Sequence, residues 1–195
     1  MRRLVVFITL FILPVSYVAA ESEKETKEEV KVEKPKKKTG CMKGDCFSGK
    51  GMYHYKNGNR YVGFFKIGLR HGRGMFRWSN GDRYFGDWKD GDPDGEGTYF
   101  YKGVGRYKGE WKKGEKHGSG TYYWSSGDRY IGEWKEGKIH GRGTYYYEGV
   151  GQYVGGWMDG KKHGKGIFYW ISGESYWGIW RDGEYLGEYD KGGGL

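Results

Sequence analysis

The chain has 195 residues, of which 39 are Gly, 19 Tyr, 9 Trp and 9 Phe, with 3 Pro, 2 Cys and a formal net charge of +9. Collagen needs Gly at every third position with abundant Pro, and a Gly-rich disordered chain would lack the aromatic residues, so both classes are excluded. A packed aliphatic core is disfavoured by the scarcity of Leu, Ile and Val, and Gly with aromatic residues must take its place, which suggests repetition.

Residues 1–20 open with Arg2 and Arg3, continue through an apolar stretch from Leu4 to Val18 interrupted by Pro14, and close on Val18-Ala19-Ala20. The pattern predicts a secretory signal cleaved after Ala20. An uncleaved anchor is the alternative, disfavoured because the apolar run is shorter than the roughly 20 residues that span a bilayer. Residues 21–40 (ESEKETKEEVKVEKPKKKTG) hold 7 Lys against 6 Glu and almost nothing apolar, which predicts a solvated, disordered tether. Residues 41–195 then retain a charge of +6, scattered rather than gathered in one block. Most of it reads as solvated surface; an anionic surface remains open as a partner, and nucleic acid is set aside for an exported chain.

Residues 41–60 form a cap that holds both cysteines, in GCMKGDCFSGKG. Two thiols without further ligands make a poor metal site, and export favours oxidation, so a Cys41–Cys46 disulfide is expected to close a short loop and cap the first strand edge. Intermolecular pairing or a redox pair is the alternative.

From residue 61 to 175 the chain repeats every 23 residues without insertion or deletion. Tyr61, Tyr84, Tyr107, Tyr130, Tyr153 and Tyr176 mark the step. Two residues later stand Gly63, Gly86, Gly109, Gly132, Gly155 and Gly178, and two further on Phe65, Trp88, Trp111, Trp134, Trp157 and Trp180. Each unit closes on His-Gly-x-Gly, with His71, His117, His140 and His163, and Asp94 in the His place of the second unit. Residues 176–195 are a truncated sixth unit and tail without that group. Within a unit, Thr121 to Trp124 reads as a strand, Ser125 to Asp128 as a turn and Arg129 to Trp134 as the returning strand, while KEGKIHGRG (135–143) reads as a loop. The in-strand Gly132 leaves a slot for an aromatic ring from a neighbouring strand. Hairpins of this size are marginal alone, so the units must stack. A 46-residue superperiod lies above the first: turns alternate between NG or SG and GVG, and Trp78, Tyr101, Trp124, Tyr147 and Trp170 alternate in the strand. Pairwise duplication and alternating contacts along one edge both account for it.

The pattern YxGxWxxGxxHGxG at a 23-residue step, as in YKGEWKKGEKHGSG (107–120) and YIGEWKEGKIHGRG (130–143), resembles the MORN repeat. The resemblance covers about residues 61–185, with a half unit from 46 to 61 leading in. It implies an all-β fold, an elongated single-layer twisted antiparallel sheet of stacked β-hairpins, and a noncatalytic role as an interaction module. A signal directly before such an array points to bacterial export, to the periplasm or outside the cell.

Equivalent residues of successive units stand about 10 Å apart, too far for the His side chains to share one metal ion. They are expected to pack and hydrogen-bond within their own unit, with no cofactor, metal or catalytic set. Function is then expected from the surface. The strand before each turn carries consecutive aromatic residues, and alternation sends rings to both faces. Tyr99, Tyr101, Tyr122, Tyr123, Trp124, Tyr145, Tyr146, Tyr147, Phe168, Tyr169 and Trp170 are therefore the candidate contact strip. A protein partner, or a second copy in a homodimer, is the first expectation. Anionic phospholipid and a wall polymer stacked on the rings are the alternatives.

Overall fold

The computed structural model describes residues 39–188. The predicted signal with its cleavage point, the tether up to residue 38 and the last residues from 189 lie outside the described residues. Gly40, assigned to the tether by composition, opens the first strand.

The strands are β1 (Gly40–Gly44), β2 (Lys50–His54), β3 (Arg60–Lys66), β4 (Leu69–Arg77), β5 (Arg83–Lys89), β6 (Asp92–Tyr101) and β7 (Gly105–Lys112). They continue as β8 (Glu115–Trp124), β9 (Arg129–Lys135), β10 (Lys138–Tyr147), β11 (Gly151–Met158), β12 (Lys161–Trp170), β13 (Ser175–Arg181) and β14 (Glu184–Gly187). They pair antiparallel in sequence order, each with its chain neighbours, in one open sheet.

The loop expected over 135–143 is instead a two-residue hairpin turn followed at once by strand. Glu136 and Gly137 both take positive φ, +49° and +79°, the backbone that a two-residue turn needs to match the twist of its strands. The His-Gly-x-Gly group lies inside the long strand β10, where the pairing with β9 slips between His140 and Gly143. Such a bulge absorbs extra residues without ending the strand, and its broken alternation is what made the segment look like a loop.

The core lies on one face of the sheet. Tyr61, Tyr84, Tyr107, Tyr130 and Tyr153 are fully buried, and Trp88, Trp111, Trp134, Trp157 and Trp180 nearly so. The ring over Gly132 comes from its own strand rather than a neighbour: Tyr130 folds back across Gly132 and across Gly143 on β10, where a β-carbon would collide with the phenol. The Tyr130 hydroxyl donates to the Glu133 carbonyl at 3.1 Å, and Trp134 Nε1 donates to the Gly120 carbonyl at 3.2 Å. Trp88, Trp111, Trp134 and Trp157 each stand edge-on between their own Tyr and that of the preceding unit, as Trp134 does at 5.5 Å from Tyr130 and 5.1 Å from Tyr107. Aromatic pairs in this arrangement attract beyond the area they bury, so the interlocking rings bind unit to unit.

The superperiod is matched in the structure by an alternation of contacts between successive turns. Asp82 and Asp128 each accept the backbone N–H of the next turn, from Lys102 at 2.8 Å and Glu148 at 2.9 Å, and the hydroxyls of Tyr99 and Tyr145 at 3.1 and 3.2 Å. The intervening GVG turns answer with their carbonyls, Val104 accepting from Ser125 and Val150 from Ile171. Partial burial raises the Asp82 carboxyl, but hydrogen bonds from Lys102, Asn80 and Tyr99 outweigh it and hold the group below the usual carboxylate range.

Candidate functional site

The candidate strip divides between the two faces. Tyr122 and Phe168 are core side chains, and Tyr99, Tyr101, Trp124, Tyr145 and Tyr147 pack against that core. Trp124 lies 4.4 Å from Tyr122 and 5.0 Å from Tyr145, ring centre to ring centre. Trp170, on the same face, is exposed at the outer end of its strand, 4.5 Å from Phe168. Tyr123, Tyr146 and Tyr169 point to the opposite face.

On the packed face every second unit adds a cation. Arg70, Lys116 and Lys162 recur at the 46-residue step. Arg70 lies 4.6 Å from the Trp88 ring, Lys116 4.3 Å from Trp134 and Lys162 4.6 Å from Trp180. Burial pulls the Lys116 ammonium down to about 8, and Lys162 in the same direction. Contact with ring faces offsets part of that desolvation.

The opposite face has a different chemistry, ordered in rows by the strand register. From β2 to β13 the middle row runs Met52, Val62, Met75, Phe85, Thr98, Lys108, Thr121, Ile131, Thr144, Val154, Ile167 and Trp177, each the cross-strand partner of the next. Phe85 is 54% exposed, and Met75, Ile131 and Val154 are exposed as well. Beside it runs a row from His54 through Arg60, Arg77, Arg83, Phe100, Arg106, Tyr123, Arg129, Tyr146 and Gln152 to Tyr169. Arg106 stacks 4.4 Å from the Tyr123 ring and Arg129 4.2 Å from Tyr146. These rings therefore work as platforms for guanidinium groups. None of Arg60, Arg77 and Arg83 forms an ion pair among the described residues.

A third row is acidic. Asp87, Glu110 and Glu133 each turn a carboxylate onto the bulge of the following strand and accept the N–H of Glu96 at 3.1 Å, Ser119 at 2.7 Å and Arg142 at 2.9 Å. Composition alone had counted these as solvated charge. Their signal in the sequence was an acid held directly before Trp in three successive units.

The repeat histidines do not converge. His71 Nδ1 stands 3.6 Å from Asp90 and His163 Nδ1 3.9 Å from Asp182, each acid belonging to the following unit rather than to the histidine's own. The backbone carbonyls of His71, His117 and His140 accept the hydroxyls of Tyr61, Tyr107 and Tyr130 at 3.4 to 3.5 Å. The Nδ1 atoms of His71, His140 and His163 are buried without a hydrogen-bond partner. Among the described residues no group of His, Cys, Asp or Glu is placed to hold a metal ion. Cys41 and Cys46 form a disulfide, which fastens the edge strand β1 to its connection with β2.

No curated protein matches the chain. The MORN repeat family matches residues 39–60, 61–83, 84–103, 107–129, 130–149 and 153–175, so the segment read from sequence as a cap with a half unit counts as a repeat in its own right. MORN repeats are generally associated with protein or membrane interactions on a generally noncatalytic scaffold. With a 23-residue unit of strand, two-residue turn and bulged strand, and with matches across most of its length, the chain belongs to the MORN repeat family.

Proposed function

We propose that this protein is a noncatalytic, exported scaffold that binds another protein, or a second copy of itself, through the face opposite the aromatic core. The observation that carries this reading is the exposed middle row, where Met75, Phe85, Ile131 and Val154 remain open to solvent although the core is complete without them. An aligned apolar row flanked by Arg and Tyr has the composition of protein contact surfaces. The Cys41–Cys46 disulfide suits an oxidising, exported location.

A second reading, peripheral binding to anionic phospholipid, is favoured by one observation: Arg60, Arg77 and Arg83 on the adjacent strands β3, β4 and β5. Crosslinking in the native envelope followed by mass spectrometry, with the mass of the protein in solution, tests the first reading. Crosslinked peptides from the middle row to another polypeptide support it. A monomer that crosslinks to no protein and binds anionic vesicles in a salt-sensitive manner favours the second.

A further inference from the structure

In the first four full units the bulge is covered by a side chain from the strand before it. Phe64 lies over Gly72, Asp87 over Gly95, Glu110 over Gly118 and Glu133 over Gly141. In the fifth unit the covering position is Gly156, and a β-carbon at Gly164 would meet nothing within 4 Å. Three successive units thus lay a carboxylate over this glycine, whereas in the fifth the space over Gly164 is left open and the His163 carbonyl closes on Gly156 instead.

The charge around the seat is retained. In the second unit Arg73 pairs across the strands with Asp87, Nε to carboxylate 3.3 Å. Arg142 occupies the same phase three units later, and its cross-strand partner is Gly156. Arg142 forms no ion pair among the described residues. Arg142, His163, Gly164 and Lys165 bound one side of a cavity of about 670 Å³, and Ile131 and Val154 of the middle row lie on its other side. It is the largest of the grooves described on this sheet.

We infer that this groove receives a carboxylate from the protein partner, an Asp or Glu side chain in an extended and otherwise apolar segment. The incoming carboxylate lies over Gly164, with the Arg142 guanidinium as its charged donor, while its apolar neighbours lie on Ile131 and Val154. Charge complementarity selects an acidic group, and guanidinium matches carboxylate in planar, two-pronged geometry. The inference rests on the protein-binding reading and gives the partner its chemistry.

The test is amide-shift mapping by NMR on the full, isotopically labelled chain, titrated with the capped peptide Val-Thr-Glu-Val-Thr. The Gln counterpart, sodium acetate and galacturonate are separate arms. The expected result is saturable shifts of Gly156, Gly164 and Lys165 with the Glu peptide, weakened about tenfold in Arg142→Gln through loss of one charge-assisted contact. Arg129→Gln, in the neighbouring row, leaves the affinity unchanged. Equal response to the Gln peptide, or no shift at these residues, overturns the inference. A response to acetate or galacturonate that matches the Glu peptide overturns the assignment to a protein segment. If crosslinking joins the outer face to a protein while the groove ignores the Glu peptide, the inference fails and the scaffold reading stands; the reverse result sinks the scaffold reading and leaves a carboxylate seat.

Discussion

The phenol of Tyr130 lies across the backbone of Gly143, one strand away, and closes the space where any larger residue would project. This contact, repeated in every full unit, couples the Gly content of the chain to its aromatic content. Gly143→Ala must push the ring or the strand aside and is expected to destabilise the array by about 1–3 kcal/mol. Tyr130→Phe keeps the ring and loses the hydroxyl bond to Glu133, at about 1 kcal/mol. Urea unfolding of both variants checks the order of the two effects.

Gly137 makes a different demand. Open space surrounds its missing β-carbon, but its φ is +79°. Gly137→Ala is expected to lose about 1–2 kcal/mol from backbone strain alone. Glu136→Asn, at φ +49°, should gain a few tenths of a kcal/mol, since Asn tolerates the left-handed region. Thermal melts of the two variants shifting in opposite directions are the expected result.

Alkaline stability follows from the buried hydroxyls. Burial raises Tyr147 to about 12 and Tyr61, Tyr84, Tyr107, Tyr130 and Tyr153 beyond that, against about 10 in the unfolded chain. The stability tied to these protons is complete below pH 10 and is lost as pH rises above it, because the unfolded state ionises first. Lys116 acts in the opposite sense. Its folded value of about 8 lies below the unfolded one, so the penalty of a buried charge is present below pH 8 and relieved towards pH 10.5. Stability is expected to rise modestly from pH 8 to 10 and fall steeply beyond. Lys116→Met should shrink the rise, Lys162 keeping a part of it, and leave the fall, as followed by denaturant midpoints and tyrosinate absorbance.

Much of this fold was legible in the sequence. The step from Tyr61 to Tyr176 identified the unit, and the rings and turns identified the hairpins. Three things were hidden. The His-Gly-x-Gly group looked like a loop because a bulge breaks strand alternation where it sits, inside β10. Alternation placed Tyr122 and Tyr123 on opposite faces without saying which face packs. The missing clue lay in Gly120: it shares a face with Tyr122 and Trp124, and the slot it leaves is filled by the Tyr107 ring, so that face is the core. The exposed row across the sheet was hidden because it consists mostly of Met, Val, Ile and Thr, residues spaced too far apart in the chain to read as a patch.

Reduction of the Cys41–Cys46 disulfide should act locally. It closes a short loop at one end of the array, and loop-closure entropy gives it about 2 kcal/mol. Since a repeat array is held by nearest-neighbour contacts, reduction is expected to speed amide exchange in β1 and β2 while leaving β7 to β10 unchanged. Hydrogen exchange with and without reductant reads this directly.

Site-directed photo-crosslinking tests the central claim most directly, with the reactive group placed at Ile131 on the open face and, in a second variant, at Trp124 on the packed face, each expressed in the native cells. The account predicts a crosslink from Ile131 to another polypeptide, and little from Trp124. Crosslinks to protein from Trp124 alone, or none to protein from either position, would contradict it.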